Sequence, residues 1–568
     1  MPSLTQTDNL FNPSGSERAP IDKLPNEILE SIFLHFPAQS TRDDSTWLSI
    51  MLVCRRWYLV SIACPLIWNN IIIAGYPPHP VFLDRVKLAP LDVTIHISDG
   101  DNYVNIARAL AVIHEVNHIR HLQLHVPLRQ LFQYIPSFIT AQASRLESFD
   151  LLVTGSKLPD EVVVIPDEIF PGDLSRLRSL SLAGMRDNAY PGLEFSWRNR
   201  LFTSNLTALC VSRPAWKSRP SVEELGAVLR CACALESLSL SYALPVATNG
   251  PLEISSASTH VSSKIFLPCL TMLRLHDLIL ELTAVLARLD IPNCAAIYAH
   301  AIYDDHYDPR SAQPIAFRAA VAFRDLCRSP GDYLCFRQVG PKHFSWRRFD
   351  FRSLGVSDLH FNIEWAPETP LPTTEAAIFV SLTPFFVNRL RGFFAAANFT
   401  VSTSSWVTML LPSLSSVEDI EVFGSLTIGL VQALEHDDKA QMLPCLHRLC
   451  IMSVDFSFPL RPPIGLRSLD RSLLNALHSR REASRASLFI ELKSCRASQA
   501  LQARLQELTK GKLIMSGKSV TWDAREWEAG SGSDESDLES DAGSGLDRTG
   551  WGSDSGDGST SSGSRRPE

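Results

Sequence analysis

The chain has 568 residues, 45% of them hydrophobic and 20% charged. That is an ordinary globular composition with enough apolar material for a large core, and its length leaves room for roughly three domains. The formal net charge of −8 is confined to the end: residues 523–568 hold 12 acidic and 4 basic side chains, while the first 522 residues carry 49 of each sign. A charge-balanced body argues against a nucleic-acid partner, which calls for a basic stripe, and no run reaches the roughly 18 apolar residues of a membrane span.

Residues 1–19 are polar and turn-rich, which predicts a disordered lead-in, and they lack the apolar core of a secretory signal. The chain is therefore expected to be soluble and cytoplasmic and/or nuclear. Its 12 cysteines are expected to be reduced and mostly buried. No Cys-x-x-Cys pair is present, so a thiolate zinc site is not expected, and with no phosphate-cradling or dinucleotide motif in the chain no cofactor is expected.

Residues 20–73 read as a small helical module. Leu24-Pro25 opens a helix whose apolar residues are Ile28, Leu29, Ile32 and Phe33, and Pro37 ends it. After a polar connection, a second helix is predicted from about Trp47, with Leu48, Met51, Leu52, Val60 and Ile62 apolar and Arg55-Arg56-Trp57 in its middle. Pro65 stops it, and Leu66-Ile67-Trp68 closes the module. So short a stretch cannot bury this many large apolar groups internally, and the surplus implies a partner surface anchored by Trp57 and the Leu/Ile set.

The elements Leu24-Pro25, Glu27-Ile28-Leu29, Leu52-Val53-Cys54-Arg55-Arg56-Trp57 and Pro65-Leu66-Ile67-Trp68 closely resemble the F-box, in order. The one departure is a longer polar first connection, residues 38–46. The resemblance implies docking on a Skp-type adaptor and, through it, a cullin–RING ubiquitin ligase. The adaptor contacts it implies are Leu24, Pro25, Ile28, Leu29, Ile32, Phe33, Leu52, Val53 and Trp57. An F-box protein performs no chemistry itself; it is not an enzyme but holds a protein substrate near a charged conjugating enzyme, so catalysis is by proximity. The alternative is a generic helical hairpin capping the repeat-like region.

Residues 77–522 carry a degraded repeat, L-x-x-L-x-L. It appears at Ile119-Leu122-Leu124, Leu146-Phe149-Leu151, Leu177-Leu180-Leu182, Leu206-Leu209-Val211, Leu235-Leu238-Leu240 and Leu270-Leu273-Leu275, spaced by 27, 31, 29, 29 and 35 residues. Looser copies are Val356-Leu359-Phe361, Val417-Ile420-Val422 and Leu446-Leu449-Ile451. The last two apolar residues of each alternate as in a strand. Helix signals lie between copies: a capping box at Ser221–Glu224 ahead of Leu225, Val228 and Leu229, and a helix over Leu282–Leu289 before a strand at Ala295–Ala301.

One strand and one helix per near-30-residue unit resembles a leucine-rich-repeat solenoid. The predicted fold class is thus α/β: a helical F-box, an irregular leucine-rich-repeat-like solenoid, and a disordered acidic Ser/Gly tail over residues 523–568. The Asn that such repeats place after the last Leu is missing, with Met185, Pro214, Ala243 and Leu278 at its position, so another group must satisfy the turn backbone. An ordinary α/β domain with leucine-rich helices and strands is the alternative. The layout also resembles, diffusely, the large F-box families of mushroom-forming fungi.

His114-Glu115-Val116-Asn117-His118 spells the zinc-peptidase pattern H-E-x-x-H. The apolar spacing of Ile106, Ala109, Leu110, Ile113 and Asn117 puts both histidines on the polar flank, and a repeat strand comes directly after. The third ligand of the extended pattern is absent: His121 and Leu124 stand where a glycine and a histidine belong. No nucleophile elbow, Walker loop or dinucleotide fingerprint occurs. The tail holds serines followed by acids, such as Ser536 ahead of Glu539, which suit acidophilic kinases. The reading is a substrate-recognition subunit of an SCF-type ubiquitin ligase with an unidentified protein substrate. Its rivals are a non-catalytic repeat scaffold and, remotely, a zinc hydrolase through His114, Glu115 and His118.

Overall fold

The repeat copies at Leu146, Leu177, Leu235 and Leu270 each fold as a tight turn leading into a short strand. The first apolar residue closes the turn: the amides of Leu146, Leu177, Leu235 and Leu270 donate to the carbonyl three residues back, at 3.0, 3.0, 3.2 and 3.3 Å. The last two residues then alternate inward, as in Ser179–Ala183, where Leu180 and Leu182 are buried and their neighbours are not. The computed structural model describes residues 20–35, 49–74, 81–86, 88–98, 103–113, 116–140, 142–154, 164–184, 193–246, 264–292, 296–303, 333–340, 343–349, 359–365, 379, 383, 390–397, 400–436, 442–456, 468–482 and 488–516. The lead-in, the connection 38–46 and the acidic tail lie outside them.

The strands stack in chain order into one parallel sheet: Asn70–Ala74, Leu91–His96, Ile119–Pro127, Ser148–Thr154, Ser179–Ala183, Ala208–Ser212, Ser237–Ser241, Met272–Leu278 and Ala296–Tyr303. Ile71, Val93, Leu122, Phe149, Leu180, Leu209, Leu238, Leu273 and Ile297 stand in register. All are at most 3% exposed, and a parallel row runs two residues on, from Ile73 to Ala299. A one-residue slip would turn every one of these side chains to water, so the pattern fixes the register. The repeat therefore begins two strands earlier than its leucine spacing shows, and the end of the helical module is also the first strand of the sheet.

The order breaks once. Leu359–Trp365 pairs in parallel with Ala296–Tyr303, but His343–Phe349 runs antiparallel beside it, followed by Tyr333–Gly340. This hairpin falls where the repeat signal is weak. Parallel pairing resumes through Gly392–Ala397, Asp419–Gly424, Arg448–Met452, Phe489–Lys493 and Leu513–Ser516.

Helices return the chain on the buried side of the sheet at some units and not at others. Ser221 caps Val222–Cys231 as the sequence predicts: its Oγ accepts from the Glu224 amide at 3.1 Å, and its own amide donates to Glu224 Oε2 at 3.0 Å. The helix expected at 282–289 lies instead at Ile279–Leu286, springing directly from its strand. Leu289 belongs to a two-residue strand paired with Ile265–Phe266. The strand expected at 295–301 runs over Ala296–Tyr303. Around Ser179–Ala183 the described residues form no helix, and aromatics fill the layer. Phe170 packs against Phe138 and Phe149, and Trp197 stacks on Phe202 with centroids 5.1 Å apart.

Two devices replace the missing Asn. The first is a residue in the left-handed region directly after the strand: Arg213, Tyr242, Ser453 and Ser494 all have φ between 49° and 54°. Each points its amide at a carbonyl at or near the end of the next strand, as Arg213 does to Ser241 at 2.7 Å and Tyr242 to His276 at 2.6 Å. Gly184 holds the corresponding place in its unit and donates to Ser212 at 2.8 Å. A Cβ there would stand 2.1 Å from the Arg213 carbonyl oxygen, a backbone atom that cannot step aside. Gly184→Ala is therefore expected to destabilise the chain by about 1–3 kcal/mol, read by urea unfolding.

The second device is Asp277, beside the expected Asn position. Its carboxylate accepts from the Leu244 and Leu278 amides at 2.8 and 2.9 Å and from Arg219 at 2.8 Å. Arg219 in turn donates to the Leu244 carbonyl. Burial pushes this carboxyl up to about 6, against the pull of Arg219 and the two amides. The folded chain thus holds the proton between the ordinary value of 3.8 and about 6. The contribution of this group to stability is complete below the lower value and is lost as pH rises through the upper one. Urea unfolding from about pH 4 to about pH 7 should show wild type losing roughly 2–3 kcal/mol against Asp277→Asn. A pH-independent difference would contradict the shift.

The cysteine expectation fails in part. Cys64 and Cys450 are buried, but Cys54, Cys231, Cys233, Cys269 and Cys445 are exposed, most of them at helix ends and turns rather than on the inward rows. These seven, with half-buried Cys210 and Cys495, are free thiols.

Candidate functional site

The helical module is a small clamp. A first helix, α1, spans Asn26–Phe33 after Leu24-Pro25, with Pro25 at its N-cap. The second predicted helix is two. Cys54, with φ −160° and ψ 167°, breaks it into α2, Ile50–Val53, and α3, Arg55–Ala63. The Cys54 Sγ then caps α3 by accepting from the Trp57 amide at 3.5 Å. A 3₁₀ turn over Pro65–Trp68 comes next and leads into the first strand.

Three contacts close the clamp. Arg56, in α3, reaches back to α1: its guanidinium bonds the Leu24 carbonyl and donates to Asn26 Oδ1 at 2.9 Å. Phe33 and Trp57 pack with ring centroids 4.9 Å apart. Buried Trp68 donates to the Ser61 carbonyl at 2.8 Å and lies under the Arg85 guanidinium, 4.2 Å from its ring centre. Burial also pushes the Cys64 thiol up, as expected of a structural cysteine.

The sequence-selected residues divide sharply. Leu29 and Phe33 are fully buried and hold the clamp together, so neither offers surface. Leu24, Ile32 and Trp57 are half-buried against the core. Pro25, Ile28, Leu52 and Val53 are exposed, Leu52 at 85% and Val53 at 60%. Tyr58, Leu59, Leu66 and Ile21 are exposed as well and were not selected by sequence. Their phase relative to buried Val60 and Ile67 is the signal that could have found them. Half of the strongly exposed large apolar side chains among the described residues fall within residues 21–66. Leaving so much apolar surface in water is unfavourable unless a partner covers it.

The H-E-x-x-H stretch is only partly described. His114 and Glu115 lie outside the described residues. The helix before them ends at Ile113, Val116–His118 is a 3₁₀ turn, and the strand begins at Ile119. Asn117 is exposed rather than on the buried face, because the helix does not extend that far. Among the described residues no group of three or more His, Cys, Asp or Glu side chains is placed to hold a metal. No helix among them is long and apolar enough to cross a membrane.

A family model described as F-box-like matches residues 21–74. No curated protein matches the chain.

Proposed function

We propose that this chain, with its F-box-like domain at residues 21–74, is the substrate-recognition subunit of an SCF-type cullin–RING ubiquitin ligase. The exposed apolar set of Ile28, Leu52, Val53, Tyr58 and Leu59 docks on a Skp-type adaptor, and the buried pair Leu29 and Phe33 holds that set in place. The stacked strand units are read as diverged leucine-rich repeats whose solvent-facing side holds a protein substrate. The chain supplies no catalytic group and works by raising the local concentration of substrate lysines. Such a subunit acts in the cytoplasm and/or nucleus.

The observation that carries this reading is the concentration of exposed apolar surface in the one segment that matches the F-box-like family. The test is recovery of the full chain from cells. Comparable amounts of adaptor and cullin are expected with it. Adaptor without cullin would favour a scaffold that uses the domain only for protein contact, and absence of both would overturn the proposal. Stoichiometric zinc, lost on His114→Ala, would instead revive a hydrolase.

A further inference from the structure

Among the described residues, the solvent-facing side of the sheet carries charges that are neutralised internally and one separated pair that is not. Arg120 pairs with Asp92 at 2.8 Å, and Arg448 bridges Glu421 at 2.6 Å and Glu491 at 2.7 Å. The separated pair is Asp150 and Arg274. Asp150 accepts from neutral Gln123 at 3.3 Å and from Ser181 and forms no ion pair among the described residues. Arg274 lies over the Tyr298 ring, 5.5 Å from its centre, and likewise forms no ion pair among them.

Register places these two on one row across five strands: Asp150, Ser181, Cys210, Ser239 and Arg274 stand side by side. The three residues between them are small and half-buried, which leaves a shallow floor with an acid at one end and a base at the other. Four strand spacings of about 4.8 Å put the charges roughly 19 Å apart, about six residues of extended chain. Beside Arg274, Tyr242, His276 and His300 form a row of packed rings, with centroids 4.8 and 4.4 Å apart, that walls the basic end.

We propose that this row binds an extended peptide segment that carries a basic residue over Asp150 and an acidic residue, about six positions away, over Arg274. The inference rests on the substrate-receptor reading only in taking that segment to belong to a substrate. Complementary charge at both ends fixes the register of the peptide and rejects segments with the same charge at both ends.

The test uses the full chain and three fluorescent peptide pools, with Glu and Lys, two Lys, or two Glu fixed six positions apart and random residues elsewhere. The Glu/Lys pool should bind at least about tenfold tighter than either same-charge pool. Arg274→Glu should transfer the preference to the Lys/Lys pool, and Asp150→Lys to the Glu/Glu pool, gains that a misfolded chain cannot give. Equal binding of all pools, or equal competition by a single-stranded RNA of similar length, would overturn the inference. Adaptor capture by the same preparation is scored separately. Its loss with the peptide preference intact would defeat the receptor reading and leave the groove.

Discussion

Asp277→Ala is expected to destabilise the folded body by about 3–5 kcal/mol, read as a fall in the urea midpoint. The carboxylate is fully buried, and its partner Arg219 has a side chain only 4% exposed. Removing the acid takes the acceptor from the Arg219 guanidinium and from the Leu244 and Leu278 amides. Buried donors left without an acceptor carry the penalty, because the fold already favours the neutral form of this acid. Asp277→Asn keeps an acceptor and the volume, so it should lose less. A loss under about 1 kcal/mol for the alanine variant would mean that the turns around Leu244 do not depend on this pair.

Leu52→Asp should weaken binding of a Skp-type adaptor by roughly 30-fold or more, the scale of an interface hot spot, and leave thermal stability unchanged. The side chain is 85% exposed and contributes little to folding. Leu88, also exposed but outside the clamp, is the control: Leu88→Asp should bind as wild type does. Leu29→Ala and Phe33→Ala should also reduce binding, but by a different route. Both are core residues, and each truncation should lower stability by about 2–5 kcal/mol before any contact with a partner is considered. Measuring stability and affinity together separates a contact residue from a support.

Features with a fixed period were legible in the sequence. The inward rows from Leu122 to Leu275 were readable because strand register demands an apolar residue at each step. The capping box at Ser221 was readable because it is local, three residues wide. Strands Asn70–Ala74 and Leu91–His96 were missed as repeat members because Ile71, Ile73, Val93 and Ile95 pack the same rows without leucine spacing. The break at Cys54 was missed because the apolar pattern runs on through it, and only the backbone angle reveals it. Arg56 reaching Leu24 and Arg219 reaching Asp277 join residues 32 and 58 apart. No pattern in one sequence announces such pairs. Composition made the F-box surface visible as a surplus of apolar side chains, yet only burial divides Leu52, which faces water, from Leu29, which does not.

The most direct measurement of the central claim is co-elution of the purified full chain with a Skp-type adaptor and the adaptor-binding part of a cullin. A single complex of equal stoichiometry is predicted, and Leu52→Asp should release the chain from it while the adaptor and cullin stay together. A wild-type chain that elutes apart from the adaptor would contradict the account.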